Sequence, residues 1–366
     1  MRIEDVETLI VEIPFDDGGK GEGITPTTWN SLEILLVRLT DEAGNVGWGE
    51  GFGYFTADAT KALVDRLIAP VLLGATVTDV AAWNLATQRR LHLFGRYGVT
   101  LFALSAVDMA LWDLAAKRAG LPLHRLVAPT AAARRVPFYA SLVRYADADL
   151  VARTATAALA AGFTGLKLHE VTLPEIEAAR AAVGEGVPIA VDVNCNWSAA
   201  HAAEVTPRLV ELGVSWLEEP VFPPEAYGTL RALRGNGLKI AAGENWCTAE
   251  QFRAALAAGA VDYAQPSVTK VGGVTEFLAV AEAARAVGTP LEPHCPYFGP
   301  GFFASLQLAA ALPDVRELEY HFVTPAAWLA HPGSPGADGA FAVPEAPGLG
   351  FEPDPAVLAR YARAPR

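Results

Sequence analysis

The chain reads IAVDVN at positions 189–194, VSWLEEP at 214–220 and IAAGEN at 240–245. Each stretch is an apolar run that ends in an acid, which is typical of a parallel strand covered on both faces by helices. The acids follow one another at intervals of 26 residues: Asp192, Glu218 and Glu244. One strand–helix unit of a parallel α/β barrel has about this length. The spacing therefore predicts one carboxylate at the carboxyl end of each of three successive strands.

The same rhythm extends in both directions along the chain. Eight β-rich runs start 22 to 29 residues apart, near Val136, Gly165, Ile189, Ser215, Lys239, Val261, Pro290 and Arg316. Segments with helical periodicity, rich in Ala, Leu, Glu and Arg, lie between them. Because the pattern ends after the eighth run, it predicts a modified (β/α)7β barrel of the TIM type over residues 126–322. The Pro- and Gly-rich C-terminal tail, 323–366, is expected to pack back on the first domain and complete it.

Residues 1–125 follow a different pattern, with strands first and helices afterwards. Residues 2–13 alternate like a half-buried strand, and residues 31–50 have the pattern of a hairpin. Three helical segments follow, so the order predicts an α+β capping domain. Two segments, 14–28 and 50–58, have the composition of mobile lid loops that close over the mouth of the barrel.

Composition narrows the class of protein. The chain has 366 residues, of which 52% are hydrophobic, and this is enough for a barrel with a second domain. Its net charge of −13 argues against nucleic acid and anionic membranes as partners. No uninterrupted apolar run reaches the roughly 20 residues of a membrane helix, and the first residues lack the pattern of a secretion signal. With three cysteines, an odd number, we expect a cytoplasmic protein that acts on a small molecule.

The three strand-end acids have the chemistry of a metal site. Clustered carboxylates repel one another, and they stay ionised together when a cation neutralises them. Oxygen ligands from separate strands suit Mg²⁺, which keeps positions free for substrate oxygens. One Mg²⁺ per active site is therefore predicted at Asp192, Glu218 and Glu244. The alternative is that these residues are solvated rim acids or partners in ion pairs.

Basic side chains end two other strands of the predicted barrel. Lys167 and His169 are two residues apart, so both point into the barrel mouth. Burial and a nearby cation would lower the pKa of Lys167 and make it a base. His294 follows the seventh strand on the other side of the mouth, and Glu319 ends the eighth. The alternative is that Lys167 is only a counter-charge for the acids and that His294 is structural.

Other side chains near the predicted mouth are candidates for binding a substrate. Two belong to the first domain and the remainder follow barrel strands. For the aromatic side chains, ordinary packing between the domains is the alternative. The candidates are Trp29, Phe55, Asn194, Trp197, Asn245, Trp246, Ser267 and Tyr297.

These motifs resemble the mandelate racemase/muconate lactonizing enzyme family of the enolase superfamily, in its mandelate racemase-like branch, over essentially the whole chain. The resemblance rests first on the three acids in their Glu-Glu-Pro and Gly-Glu-Asn-Trp contexts, which match the family's metal ligands. It also rests on Trp112-Asp113 in an Ala-rich helix and on Gly272-Gly273 after the sixth strand.

The resemblance assigns roles to the other polar strand-end residues. Lys167 matches the first lysine of the family's Lys-x-Lys base motif, His294 a histidine base or acid, and Glu319 a glutamate that binds the substrate carboxylate. Two positions depart from the family pattern: His169 replaces the second lysine, and Ser267 replaces the aspartate that usually orients the histidine. Because that aspartate raises the basicity of the histidine, its loss favours Lys167 as the base and His294 as an acid or hydrogen-bond donor.

The resemblance implies removal of the proton α to a carboxylate, with Mg²⁺ stabilising the enediolate that forms. Expulsion of a β-hydroxyl then gives dehydration of a sugar acid or hydroxy acid, which is the favoured reaction. Return of the proton on the other face gives racemisation or epimerisation of a hydroxy acid or amino-acid derivative. The family also implies a homo-oligomer, a dimer or an octamer.

Two alternative hypotheses, which assign the protein to a different functional class, stay open. One is a zinc or thiolate enzyme, because Cys195, Cys247 and Cys295 each follow a strand end. The other is a non-catalytic barrel that only binds its ligand, because His169 and Ser267 are altered. Intact metal ligands argue against this second rival.

Overall fold

The protein is described by a computed structural model that covers residues 1–20, 29–131 and 135–364. Positions 21–28 of the first lid segment predicted from the sequence lie outside the described residues, and positions 14–16 belong to the first strand. The second lid segment, 50–58, links the third strand to the first helix.

The N-terminal part has an antiparallel sheet followed by helices, as the sequence predicts. Its strands pair in sequence order and are β1 (Ile3–Asp16), β2 (Ser31–Asp41) and β3 (Val46–Gly51). Its helices are α1 (Ala57–Leu63), a π-helical turn (Val64–Ile68), α2 (Ala69–Leu72), α3 (Val80–Leu91), a 3₁₀ turn (His92–Phe94), α4 (Val99–Ala119) and α5 (Leu123–Val127).

Close packing between β3 and α4 explains the glycines of the sequence GWGEG at 47–51. A Cβ at Gly47 would lie 2.3 Å from the carbonyl oxygen of Ala110, and one at Gly49 would lie 1.9 Å from that of Ala106. Neither distance is sterically possible, so glycine lets the helix rest directly on the strand. By length and composition α4 could cross a membrane, but 78% of its apolar segment is buried inside the protein, where it is the core helix of this part.

Eight strand positions close a parallel barrel in the order that the spacing predicts. Seven of them are regular strands: β4 (Arg135–Leu142), β5 (Leu166–Leu168), β6 (Ile189–Asp192), β7 (Val214–Glu218), β8 (Ile240–Ala242), β9 (Tyr263–Ala264) and β10 (Leu318–His321). The seventh position in the ring is reduced to Leu291, which bridges Ala264 on one side and Val315 on the other. Pairing of β10 with β4 closes the ring.

A helix follows each of the first seven strand positions, which confirms the (β/α)7β architecture. These helices are α6 (Ala148–Ala160), α7 (Leu173–Val183), α8 (Ala199–Glu211), α9 (Tyr227–Arg234), α10 (Thr248–Ala257), α11 (Gly273–Ala286) and α12 (Pro300–Ala311). After the eighth strand, β10, the chain enters a short strand of the tail instead of a barrel helix.

The C-terminal tail contacts both the N-terminal sheet and the barrel. β11 (Thr324–Pro325) pairs with β1, and α13 (Pro355–Tyr361) lies beside the same strand. β12 (Ala340–Ala342) instead pairs with barrel strand β4. Arg363 adds ion pairs with Glu12 and Glu33. The tail therefore ties the N-terminal sheet to the barrel through both backbone pairing and charge.

Candidate active site

Three carboxylates meet where β6, β7 and β8 end. Asp192 is the last residue of β6 and Glu218 the last of β7, and the two are register partners in the parallel sheet. Glu244 follows Gly243, where φ is +143° and a Cβ would lie 2.8 Å from the ring of Phe252, so glycine is required at this turn. One oxygen from each acid lies within 4.8 Å of the others, and such a cluster can hold a metal ion.

A fourth acid, which the sequence interpretation does not single out, adjoins these three. Glu219 follows Glu218 with a φ of +40° and is buried. Its Oε2 accepts a hydrogen bond from Nδ2 of Asn245 at 2.7 Å, whereas its Oε1 has no hydrogen-bond partner among the described residues. Burial, with Glu244 and Asp192 close by, raises the pKa of Glu219 well above its ordinary value. The Glu-Glu-Pro motif was the available signal for this residue.

Buried carboxyl groups outnumber lysines in this part of the barrel. Five carboxylates cluster here, all at most slightly exposed: Asp192, Glu218, Glu219, Glu244 and Glu319. Two lysines contact them, Lys167 and Lys270. If all were ionised, five negative charges would face two positive ones, and burial raises the pKa of Glu218 to about 8 and that of Glu219 well above its ordinary value. Because a buried carboxylate is costly to ionise without a compensating charge, this donor set fits a divalent cation.

Lys167 lies among the acids and contacts three of them. Its Nζ is 2.9 Å from Oε1 of Glu218, 2.9 Å from Oε1 of Glu319 and 3.4 Å from Oδ2 of Asp192, and the side chain is fully buried. Burial alone would lower the pKa of Lys167, but these carboxylates outweigh it and raise the pKa well above its ordinary value. The predicted lowering of this pKa assumes a bound cation and stays a prediction, because without one the ammonium is paired with several acids.

His169 stands beside Lys167 and contacts Asp192. Its Nδ1 lies 2.6 Å from the carbonyl oxygen of Leu142, and its Nε2 lies 3.3 Å from Oδ2 of Asp192. Burial opposes the charged form of His169, but Asp192 outweighs it and raises the pKa. A carbonyl oxygen can only accept, so Nδ1 carries a hydrogen and Nε2 is the nitrogen that gains or loses a proton.

His294 follows the seventh strand position and contacts Glu244, the third acid of the cluster. Its Nε2 lies 3.0 Å from Oε2 of Glu244, and its Nδ1 lies 3.1 Å from the hydroxyl of Tyr297 and 3.3 Å from that of Ser267. Burial opposes ionisation of Glu244, but His294 and Lys270 hold its pKa well below the ordinary value. The two histidines thus approach the acids from different sides.

A cavity of about 60 Å³ lies against these groups. Six of the residues predicted from the sequence line it: Trp29, His169, Asn194, Glu244, His294 and Glu319. The rest of the lining comes from Phe52, Tyr54, Val143, Pro296 and His321. The backbone N–H of Cys295 donates to Oε2 of Glu319 at 3.0 Å, which fixes this carboxylate at the edge of the cavity.

Three residues that the sequence predicts to bind the substrate lie behind the side chains that line the cavity. Ser267 and Tyr297 are buried, hydrogen-bond to each other and contact His294. Asn245 donates to Glu219, and its Oδ1 accepts from Nζ of Lys270 at 3.1 Å. These side chains orient the acids and the imidazole, and they do not border the cavity themselves.

Three other predicted binding residues lie away from the cavity. Trp246 is fully buried and its ring packs edge-on against Phe252 of α10. Trp197 donates from Nε1 to the carbonyl oxygen of Val171 at 3.0 Å, so it ties two strand-end loops together. Phe55 is 57% exposed and has a φ of +56°, and it points away from the cavity that its neighbours line.

The cavity also contains residues that the sequence interpretation missed as binding residues. His321 stacks on Trp29 with ring centroids 5.2 Å apart, and burial lowers the pKa of His321 to about 3, so the imidazole is neutral. Tyr54 donates its hydroxyl hydrogen to the carbonyl oxygen of Pro296. The available signal for His321 was its position two residues after Glu319, which places both on the same face of β10.

The geometry does not favour the thiolate rival. Within residues 1–20, 29–131 and 135–364, the cluster of potential metal ligands contains carboxylates and no thiol. Burial raises the pKa of Cys195, Cys247 and Cys295 above the ordinary value of a thiol. All three are therefore protonated near neutral pH, which does not favour nucleophilic attack.

Protein-family models match both parts of the chain. The N-terminal domain of the mandelate racemase/muconate lactonizing enzyme family matches residues 20–128, and the enolase C-terminal domain-like model matches residues 150–357. This chain belongs to the mandelate racemase/muconate lactonizing enzyme family. The resemblance inferred from the strand-end motifs is thereby confirmed.

Relatives of this family member span three kinds of reaction. The 3,6-anhydro-α-L-galactonate cycloisomerase of Streptomyces coelicolor is 32% identical, over 98% of this chain and 99% of the relative. The crystal structure of a racemase from Streptomyces coelicolor A3(2) with bound magnesium is 30% identical, has a TM-score of 0.89 and covers 99% of this chain and 100% of that one. L-Talarate dehydratase from Polaromonas sp. JS666, complexed with Mg and L-glucarate, is 28% identical, with a TM-score of 0.83 and coverage of 99% and 98%.

Proposed function

We propose that this enzyme removes the proton α to the carboxylate of a small sugar acid or hydroxy acid in a Mg²⁺-dependent reaction and then expels the oxygen on the β-carbon. One observation carries the proposal: three carboxylate oxygens lie within 4.8 Å of one another beside a cavity that three histidines line. The dehydratase relative that is complexed with Mg and L-glucarate supports this substrate class.

Asp192, Glu218 and Glu244 are the residues that would hold Mg²⁺. When bound, the cation supplies positive charge that stabilises the substrate carboxylate as it becomes an enediolate. Burial opposes ionisation of Glu319, but Lys167 outweighs it and lowers the pKa of Glu319 to about 2. Glu319 is therefore an ionised acceptor at the edge of the cavity, suited to a hydroxyl of the substrate.

We assign the proton acceptor to His169 in preference to Lys167. Lys167 belongs to β5 and His169 directly follows it, but His169 lines the cavity, whereas Lys167 is buried against three carboxylates. The carbonyl oxygen of Leu142 keeps a hydrogen on Nδ1 of His169, which leaves Nε2 to take the α-proton. Lys167 then acts as a counter-charge for Asp192, Glu218 and Glu319.

The apolar character of the cavity favours a second candidate, a cycloisomerase. The cavity walls include five side chains that offer little hydrogen bonding: Trp29, Phe52, Tyr54, Val143 and Pro296. An open-chain sugar acid carries a hydroxyl on each carbon, and each needs a partner when it is buried. A 3,6-anhydro sugar acid replaces two hydroxyls with one ether oxygen. That oxygen is on the β-carbon, so the same elimination opens the ring without releasing water.

Proton NMR in D₂O tests the proposal. The enzyme is incubated with MgCl₂ and a panel of hexonates, aldarates, 3,6-anhydro sugar acids, simple hydroxy acids and amino-acid derivatives. We expect the α-proton signal of one class to disappear with MgCl₂ and to persist with EDTA. His169→Asn should abolish the loss of signal. Exchange at the full rate in Asp192→Asn would refute the metal-assisted mechanism, and full exchange in His169→Asn would return the role of base to Lys167.

The proposal also covers the oligomeric state of the enzyme and its location in the cell. We expect a homo-oligomer, a dimer or an octamer, working in the cytoplasm on a soluble carboxylate. The net charge of −13 makes nucleic acid and anionic membranes unfavourable partners. Light scattering coupled to size-exclusion chromatography measures the assembly directly.

A further inference from the structure

His321 lies at the end of the cavity that faces the N-terminal domain, which we call the outer end. It follows Glu319 by two residues, so both side chains point from the same face of β10. Its ring stacks on Trp29 with ring centroids 5.2 Å apart, and it meets Phe15 and Phe298 edge-on at centroid distances of 6.0 and 5.9 Å. Aromatic rings therefore hold the imidazole in place at the border of the cavity.

One ring nitrogen of His321 has no partner. Only 5% of this residue is exposed, and its Nε2 is buried without a hydrogen-bond partner in the part of the chain that the structure describes. A buried polar atom without a partner costs free energy, which is recovered when a ligand supplies the partner. Because the ring borders the cavity, it is placed to form such a bond with a bound substrate.

The surroundings of His321 disfavour a positive charge on its ring. Burial lowers the pKa of His321 to about 3, and the nearby His169, His294 and Lys167 act in the same direction. Glu319 acts in the opposite direction but does not outweigh burial. A neutral imidazole has one donor and one acceptor nitrogen, so it suits a hydroxyl or an ether oxygen and offers no charge to a carboxylate.

The other side chains at the outer end are apolar or already bonded. They are Trp29, Phe52, Tyr54, Val143 and Pro296. The hydroxyl of Tyr54 already donates to the carbonyl oxygen of Pro296. Among the described residues no lysine or arginine lines the cavity, and the sequence GEGITPTT at 21–28 contains no basic residue.

A second carboxylate on the substrate would be unfavourable at the outer end. It would lose its hydration against aromatic side chains without meeting a cation. Burial opposes ionisation of Glu319, but Lys167 lowers its pKa to about 2, so a second carboxylate would also meet a negative charge. A hydroxyl or a ring oxygen in the same place would instead bond with His321 at no such cost.

We propose that His321 binds the outer end of the substrate through an uncharged ring nitrogen, and that the enzyme therefore prefers acids with one carboxylate to dicarboxylic acids of the same configuration. This inference rests on the proposed function, because the first carboxylate is then held at the Mg²⁺ end of the cavity. The substrate class becomes the aldonic acids and their anhydro derivatives, and the aldaric acids are rejected.

Matched pairs of acids test this preference. Each aldonate is compared with the aldarate of the same configuration, in which the terminal CH₂OH is oxidised to a second carboxylate, and 3,6-anhydro acids complete the panel. With MgCl₂ in D₂O, we expect the acid with the highest kcat/KM for loss of the α-proton to carry one carboxylate, and every aldarate to be poorer by about tenfold or more. An aldarate that exchanges as fast, or one whose affinity rises as the pH falls because His321 gains a proton, would overturn the proposal.

Three variants of His321 test its role in this preference. His321→Phe keeps a ring but has no nitrogen, so KM for the preferred acid should rise about tenfold with little change in kcat. His321→Gln, which has an uncharged donor and acceptor, should keep the preference. His321→Lys should raise kcat/KM for the aldarate relative to the aldonate by about tenfold or more, because it supplies a cation.

His201 provides the control, because its side chain is 47% exposed on α8 and His201→Gln should behave like the wild type. An unchanged KM in His321→Phe would overturn the proposal. If His321→Lys does not fold, the comparison of His321→Phe with His321→Gln still decides it.

Binding without turnover separates this inference from the proposed function. Calorimetric titration of His169→Asn, which lacks the proposed base, with each pair of acids and MgCl₂ should show at least about tenfold tighter binding of the acid with one carboxylate. If the wild type exchanges no α-proton and this difference is still found, the proposed function fails and the role of His321 stands. If α-protons exchange without preference, the role of His321 fails and the proposed function stands. If no acid binds, both fail.

Discussion

Asp192 and Glu218 are register partners on neighbouring parallel strands, and each is the last residue of its strand. The barrel therefore forces two carboxylates together before any ligand is present. Glu244 joins them after the turn at Gly243. Since like charges held this close oppose folding, the site should bind a divalent cation more tightly than any exposed group of acids on the surface.

Mg²⁺ should stabilise the folded protein through this cluster. A ligand that binds only the folded state adds about 2.7 kcal/mol of stability at 100 times its Kd. We expect the Tm of the wild type to rise with MgCl₂ and that of Glu218→Gln to change little. Glu204→Gln, in which an exposed carboxylate of α8 with a side-chain exposure of 81% is altered, is the matched control and should respond like the wild type. If MgCl₂ raised the Tm of all three proteins equally, the cation would bind outside this cluster.

Lys167 should stabilise the metal-free protein as the cation of the acid cluster. Removal of one partner from a buried ion-pair network leaves uncompensated charge and costs about 3–5 kcal/mol. We expect Lys167→Met to lower the free energy of unfolding by this order in EDTA, and MgCl₂ to recover part of the loss. Lys61→Met removes a more exposed lysine that pairs with Asp65, and it should change stability by about 0.5 kcal/mol or less. Urea unfolding measured with and without MgCl₂ checks both variants. If Lys167→Met and Lys61→Met lost equal free energies of unfolding, Lys167 would not be the stabilising cation of the acid cluster.

The cluster of three carboxylates was predictable because a strand end is a local property of the sequence. An apolar run followed by an acid fixes where each carboxylate lies, and the repeat of 26 residues fixes that the carboxylates are neighbours. The same reasoning found Lys167 and His169, since residues two apart share one face of a strand. The pKa of Lys167 was not predictable in this way, because it depends on how many acids surround the ammonium.

The side chains that line the cavity were less predictable, because their orientation depends on packing between distant elements. Trp246 and Asn194 both follow strand ends, yet Asn194 lines the cavity and Trp246 packs against Phe252 of the next helix. In the lid segment, Tyr54 turns inward to Pro296 while the adjacent Phe55 turns outward. No periodicity in the sequence distinguishes the members of these pairs.

Gly273 should be essential for docking of the N-terminal domain on the barrel. It begins α11 with a φ of +85°, and a Cβ there would lie 2.3 Å from Oδ2 of Asp108 on α4. Asp108 is buried and accepts hydrogen bonds from the backbone and the side chain of Thr275, at 2.9 and 2.6 Å. We expect Gly273→Ala to lower the free energy of unfolding by about 2–4 kcal/mol, from backbone strain and steric overlap together.

Gly186 provides the control for this substitution. A Cβ at Gly186 would meet nothing within 4 Å, and its φ lies outside the left-handed region. Gly186→Ala should therefore change the free energy of unfolding by about 0.5 kcal/mol or less. If both alanine variants unfold at the same urea concentration as the wild type, close contact between α4 and α11 is not required for stability.

Glu50 should make stability depend on pH. This acid is the next-to-last residue of β3 in the N-terminal sheet, and its Oε2 accepts a hydrogen bond from the backbone N–H of Gly301 at 2.8 Å, in the first turn of α12. Burial raises the pKa of Glu50 to about 8, against the lowering effect of the backbone hydrogen bonds. The folded protein therefore keeps the acid protonated at pH values where the unfolded chain, with an ordinary glutamate pKa of about 4.3, has already lost the proton.

The sign of the effect follows from proton linkage. Between the unfolded pKa and the folded one, the folded state binds more protons, so the contribution of Glu50 to stability falls as pH rises and levels off above about pH 8. Each unit of pKa difference corresponds to about 1.4 kcal/mol. Glutamine resembles the protonated acid at every pH and can still accept from Gly301. The free energy of unfolding of Glu50→Gln should therefore rise relative to that of the wild type by a few kcal/mol as the pH increases from 5 to 8.

Urea unfolding of both proteins across this pH range measures the difference. Glu204→Gln, which changes an exposed side chain of α8, is the control, and its difference from the wild type should stay constant with pH. A constant difference for Glu50→Gln as well would mean that Glu50 has the same proton affinity in the folded and unfolded states. The contact between Glu50 and α12 would then be an ordinary ionised cap at a helix N-terminus, without a linkage between protonation and domain docking.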